Sequence, residues 1–192
     1  MEKARIRTAW KNRTRSISIE ELANAVASIC WRMSLNAAKN LHQQSFNYSE
    51  DRQRVGVIRE YLFFLIHVTD RLVFDTLNGQ DRERFMQALA ADCGRHYAEN
   101  SRQIGIDPSE TGRYMAEINT RQGEYSATAF RGREPGYEML RLLGSRIQAL
   151  MGLDQTNKWV IDQVMDIDGP EVFEVFRKSL DKLLDNSGVE PR

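Results

Sequence analysis

The chain has 192 residues, of which 41% are hydrophobic and 28% are charged, and its 27 basic residues balance 27 acidic ones. This composition is typical of an ordinary globular protein and excludes a disordered, collagen-like or disulfide-stapled chain. Zero net charge argues against a protein that binds nucleic acid with its whole surface. The two cysteines, Cys30 and Cys93, lack C-x-x-C spacing, which favours a reducing cytoplasm over a secreted framework.

The chain begins with a basic segment that has no apolar run behind it. Residues 1–17 are therefore predicted to form an N-terminal arm and not a secretory signal. The most apolar stretch, residues 61–74, is interrupted by charged side chains and is shorter than the ~20 apolar residues of a membrane-spanning helix. We expect a cytoplasmic protein that makes no membrane contact.

Helical spacing of apolar residues recurs throughout the chain, whereas strand signals are nearly absent. It predicts seven helices, over residues 19–44, 51–77, 81–98, 110–130, 136–151, 155–166 and 170–185. Ser18 and Glu21 form a capping box before the first helix. Asn78-Gly79 is predicted to end the second helix, and Asp81 to cap the third. Gly169-Pro170 is predicted to open the last.

These elements predict an all-α fold, a single-domain bundle of six to seven helices around a central apolar helix at about residues 51–77. The helical domain is expected to cover residues 18–185, and residues 186–192 are expected to fray. Residues 61–66 are apolar on every side of their helix. Because each buried large side chain contributes roughly 1.5–3 kcal/mol, this segment is predicted to contribute most to the core.

One face of the second helix mixes charged and aromatic side chains at spacings of three and four. We call it the helix-two stripe, and its members are Glu60, Phe64, His67, Asp70, Arg71 and Phe74. A solvated face would explain the charges, although such a face rarely carries several phenylalanines. If the aromatic side chains are buried, the charges must be paired or line a cavity. The stripe would then be a pocket wall or a contact between subunits.

The third helix carries a second group of candidate residues, Asp92 and His96, on one face. A short connection predicts that it runs antiparallel beside the second helix, so these side chains and His67 could converge as ligands for iron, manganese or zinc. The signal is weak, because His67 and His96 are offset by roughly 9 Å along the helix axes. We therefore predict no cofactor, and keep His67, Asp92 and His96 as the residues to test for a metal.

Charge is shared unequally along the chain. Residues 1–96 carry a net charge of +4 and residues 97–192 a net charge of −4. Two halves of opposite net charge favour self-association of the chain, although salt screens this attraction. The arm alone could contact the phosphates of a nucleic acid, through Arg5, Arg7, Lys11, Arg13 and Arg15.

The common phosphate-binding, dinucleotide-binding, hydrolase and zinc-protease motifs are missing from the sequence. The leading hypothesis is therefore a cytoplasmic interaction or regulatory protein that acts as a homodimer or as an adaptor to another protein. The alternative is a ligand-binding protein or enzyme with a Glu, His, Asp and Arg pocket between the second and third helices. A third hypothesis gives the basic arm a role in nucleic-acid association.

Overall fold

The computed structural model describes residues 17–107 and 112–187, and these residues form an all-α helical bundle, as predicted. Its elements are α1 (Ile19–Gln43), α2 (Asp51–Val73), α3 (Gly79–Gln103), α4 (Tyr114–Ser126), β1 (Phe130–Arg131), β2 (Glu134–Pro135), α5 (Tyr137–Met151), a 3-10 turn (Gln155–Trp159), α6 (Val160–Gln163), a π turn (Val164–Asp168) and α7 (Gly169–Ser187). The buried apolar side chains of all six longer helices form one cluster.

Helix α2 is central, because α1, α3, α4, α5 and α7 all pack on it. Its middle residues, 61–65, have no exposed surface, which confirms the prediction of a central apolar helix. The helix ends at Val73, four residues before the predicted end. Asn78, predicted to end α2, instead caps α3 by accepting a hydrogen bond of 2.9 Å from the Asp81 backbone N–H.

Helices α1 and α3 form the most extensive helix pair of the bundle. The predicted capping box starts α1, since the Ser18 hydroxyl accepts from the Glu21 N–H at 3.1 Å and the Glu21 carboxylate accepts from the Ser18 N–H at 2.9 Å. The buried face of α1 is rich in small side chains, which allow α3 to approach closely; they are Ala23, Ala27, Cys30, Ser34, Ala37 and Ala38.

A short hairpin follows α4, where the sequence analysis predicted helix as far as residue 130. Phe130 pairs with Pro135 in an antiparallel register. The two turn residues, Gly132 and Arg133, have φ angles of 59° and 64°, which match the tight two-residue turn that connects twisted strands. The strands have two residues each, too few for an alternating pattern to be read from sequence.

The predicted break at Gly169-Pro170 is a π turn inside a continuous helical run. The Gly169 N–H bonds to the Val164 carbonyl, one residue further back than in an α-helix. Pro170 has no N–H to donate to a backbone carbonyl in the regular α-helical pattern. The wider π turn, which contains one residue more than an α-helical turn, accommodates it. A Cβ at Gly169 would lie 2.7 Å from the Val164 carbonyl oxygen, so the turn requires glycine.

The C-terminal helix extends two residues beyond its predicted end, so residues 186 and 187 are helical and not frayed. Ser187 is buried, and its carbonyl oxygen accepts a hydrogen bond of 3.4 Å from the Ile17 N–H. This contact ties the two ends of the described chain together. None of the helices in residues 17–107 and 112–187 has the length and hydropathy that a bilayer crossing requires.

Candidate functional site

The helix-two stripe is covered by α4 of the same chain from Glu60 to His67. Glu60 and Phe64 are 1% and 0% exposed, and His67 is 3% exposed. The phenol ring of Tyr125 on α4 packs against both the Phe64 ring and the imidazole of His67. This part of the stripe is therefore neither a solvated face nor a contact between subunits, because an internal helix occupies it.

A buried ion pair fastens α4 to α2. The guanidinium of Arg121 donates to both carboxylate oxygens of Glu60, at 2.8 and 3.2 Å. Arg121 also bonds to Glu124 at 3.2 Å, and Glu124 accepts a further bond from Arg146 on α5. A fully buried carboxylate is tolerated only when it is paired and hydrogen-bonded in this way. The network thus joins α2, α4 and α5, and its charges run from the buried Glu60 to the partly exposed Arg146.

His67 is held by a second polar link between the same helices. The side-chain amide of Gln122 donates to the Phe63 carbonyl at 3.1 Å, so its oxygen is left to face His67 Nδ1 at 3.0 Å. The neutral ring therefore carries its proton on Nδ1. Burial, assisted by the charge of Arg71, lowers the pKa of His67 below its usual value. The other ring nitrogen, Nε2, is buried and has no hydrogen-bond partner in the described structure.

The end of the stripe links α2 to α3. The carboxylate of Asp70 accepts two bonds from the Arg82 guanidinium, at 2.8 and 2.6 Å. The same guanidinium lies 4.7 Å from the centroid of the Phe74 ring, which remains 47% exposed. The adjacent Arg71 has a buried Nε atom without a partner in the described residues.

Asp92 and His96 do not join His67. The Asp92 carboxylate accepts a 3.0 Å bond from Asn24 on α1, and the His96 ring stacks on Trp31, also on α1. The prediction that these residues converge with the stripe is wrong, because their side chains contact Asn24 and Trp31 of α1 and not α2. In residues 17–107 and 112–187, no three His, Cys, Asp or Glu side chains are grouped to hold a metal ion.

Residues 1–16 of the predicted basic arm lie outside the described residues, which begin at Ile17. The candidate anion contacts all fall in that part of the chain, namely Arg5, Arg7, Lys11, Arg13 and Arg15.

A surface cleft of ≈ 390 Å³ lies between α2, α3 and α4, and we call it the three-helix cleft. Its apolar lining consists of Ile66, Met86, Ala90, Met115 and Ile118. Its polar lining consists of Asp70, Gln87, Asn119 and Gln122. Asp70 and Gln122 thus belong both to the cleft and to the polar links that hold its walls.

The alternative of a pocket between the second and third helices left out α4, which covers part of the helix-two stripe and forms the third wall of the cleft. On α4, Arg121 and Gln122 lie between Ile118 and Tyr125 on one face of the helix. Polar residues inside such an apolar stripe are the sequence signal of buried pairing that identifies this helix. Comparison of the chain with protein-family models, with curated proteins and with solved structures finds no match in any of the three.

Proposed function

We propose that this protein is an adaptor that binds an amphipathic helix of a partner protein in the three-helix cleft. The observation that carries the proposal is the apolar lining, to which α2 contributes Ile66 and the helices α3 and α4 contribute one methionine each. An amphipathic helix inserts apolar side chains three and four residues apart into a groove of this kind. Methionine side chains adapt their shape to different partners, which suits a docking surface.

One exposed apolar side chain extends this surface beyond the cleft itself. Phe74, one turn beyond the lining residue Asp70, is 47% exposed. A compact ligand in the cleft would leave Phe74 in water, whereas a helix that crosses the cleft would cover it. Gln87 and Asn119 supply hydrogen-bonding groups for the polar edge of the partner.

The competing function is the binding of a small apolar molecule, which the volume of the cleft supports. Pockets that hold small ligands measure roughly 300–1,000 Å³, and the three-helix cleft falls in that range. A second copy of this chain is the other occupant that the test must separate from a foreign partner. We place the protein in the cytoplasm because its cysteines are few and are not disulfide-bonded.

The test is a selection of helical peptides from a random amphipathic library against the full chain. Ala90→Trp fills the cleft, whereas Ala91→Trp adds the same side chain to an exposed position one residue away on α3. We expect selected peptides to bind the natural protein and the Ala91→Trp variant with similar affinity. Binding to the Ala90→Trp variant should be at least about tenfold weaker, which corresponds to 1.4 kcal/mol.

Methyl NMR of labelled methionines locates the peptide, because Met86 and Met115 should shift while the buried Met139 and Met151 should not. Peptides that bind both tryptophan variants equally would overturn the proposal. So would a cleft that takes small apolar fragments and no peptide. Sedimentation that finds a dimer, dissociated by Ala90→Trp, would assign the cleft to a second copy of the chain instead.

A further inference from the structure

We propose that Cys30 and Cys93 form a reversible intrachain disulfide when the protein meets a hydroperoxide. They are the two cysteines of the chain, one on α1 and one on α3. Both are fully buried as free thiols, and they lie at the same level of the interface, because Asn24 bonds to Asp92 and Trp31 stacks on His96 beside them. This pair is independent of the three-helix cleft and of what occupies it.

The close approach of the two thiols follows from the residues around them. Ala27 and Ser34 lie one turn before and one turn after Cys30 on the buried face of α1. Because these side chains are small, α3 comes close enough for a cysteine on each helix to meet at the same level. On α3, Gly94 follows Cys93 and leaves room for the Tyr114 ring, which a Cβ there would approach to 3.0 Å.

Bond formation requires a small movement. A disulfide has a sulfur–sulfur distance of about 2 Å, so the two sulfur atoms must come together to that distance. Rotation about the Cα–Cβ bonds of two facing cysteines supplies such a change. Because the bond would link α1 to α3 within one chain, it would close a loop of about 60 residues and restrict the unfolded state.

The chemistry proceeds in two steps. The thiolate of one cysteine attacks hydrogen peroxide, so a sulfur–oxygen bond forms, the oxygen–oxygen bond breaks and hydroxide leaves. The second thiol then attacks the sulfenic acid at sulfur, so the sulfur–sulfur bond forms and water leaves with the thiol proton. Two thiols are oxidised to one disulfide, and one peroxide molecule is reduced to two molecules of water.

The surroundings of the thiols set the pace of this reaction. The neighbouring Cys30 thiol, together with burial, holds the pKa of the Cys93 thiol well above its usual value, and the thiolate is the reactive form. Tyr114 of α4 packs beside this part of α3, since its ring lies 3.0 Å from where a Cβ of Gly94, the residue after Cys93, would be. The pair should therefore respond to sustained oxidation over hours and not to a brief pulse.

The test is intact-mass spectrometry of the full chain after prolonged exposure to hydrogen peroxide. We expect a monomer that has lost two hydrogen atoms, a crosslink between the peptides that contain Cys30 and Cys93, and recovery of both thiols with dithiothreitol. Circular dichroism before and after treatment shows that the protein remains folded.

Cys30→Ala and Cys93→Ala are the matched controls, because alanine is already frequent in this interface and each variant keeps one thiol. Neither should lose hydrogen atoms under the same treatment. Two thiols that remain reduced in the folded natural protein would overturn the proposal. Disulfide-linked dimers, or overoxidation of one cysteine without a crosslink, would overturn it as well.

Discussion

Loss of either partner from the Glu60–Arg121 ion pair should destabilise the protein more than loss of a partner from an exposed ion pair with a similar nitrogen–oxygen distance, because the Glu60–Arg121 pair is buried. Glu60 is 1% exposed and the side chain of Arg121 is 17% exposed. Removing one partner of a buried pair typically costs 3–5 kcal/mol, because the other charge is left without compensation. Arg59 lies 3.9 Å from the Glu60 carboxylate and would partly replace the lost cation. We therefore expect Arg121→Met to lower the free energy of unfolding by about 2–3 kcal/mol.

A double-mutant cycle measures the interaction itself. Arg121→Met, Glu60→Met and the double variant are unfolded in urea and followed by far-UV circular dichroism. With a urea dependence of about 2 kcal/mol/M, each single variant should shift the midpoint by more than about 1 M. The double variant should cost less than the sum of the single ones, by about 2 kcal/mol, because no unpaired charge remains in it.

Arg84 provides the matched control. Its bond to Glu20 is 2.6 Å long, but both side chains are 51% exposed. We expect Arg84→Met to leave the urea midpoint unchanged, because solvent screens an exposed pair. Two results would refute the reasoning that burial makes this pair important for holding α4 against α2. One is additive midpoint shifts for the Glu60 and Arg121 substitutions, and the other is a midpoint shift for Arg84→Met as large as that for Arg121→Met.

Three further predictions concern the polar links and the backbone. The pKa of His67 is lower in the folded protein than in the unfolded chain. Its contribution to the free energy of unfolding is therefore complete above about pH 6.5 and is lost as the pH falls below that value. His67→Gln should flatten that part of the urea-midpoint profile, whereas the exposed His42→Gln should not. Gln122→Glu should raise the pKa of His67, measured by NMR titration, since a carboxylate favours the charged ring. Gly169→Ala should destabilise the protein through its 2.7 Å contact, whereas Gly123→Ala, with open space around it, should stabilise α4 by about 0.5–1 kcal/mol.

Most of the helical architecture could be predicted from the sequence, because it follows from local patterns. The capping box at Ser18 and the apolar middle of α2 each depend on residues within one helix. The π turn could not be predicted. Gly169-Pro170 is an ordinary helix-breaking pair, and the bond to the Val164 carbonyl depends on how α7 is held against the rest of the bundle.

The candidate site was harder to predict because it depends on pairs that are distant in sequence. The short connection predicted correctly that α2 and α3 are neighbours, and Asp70 bonds to Arg82 across it. It did not predict the rotation of α3 about its own axis, which turns Asp92 and His96 toward α1.

The helix-two stripe shows why its charges could not be interpreted in isolation. Glu60, Phe64 and His67 would suit solvent, a pocket or a partner, and the decision among them lies with α4, more than fifty residues later in the chain. A face that carries Arg121 and Gln122 between aromatic residues satisfies the stripe internally. The apolar surface that stays in contact with water lies beyond this covered part, at Met115 in the α4 wall of the three-helix cleft and at Phe74 just after α2.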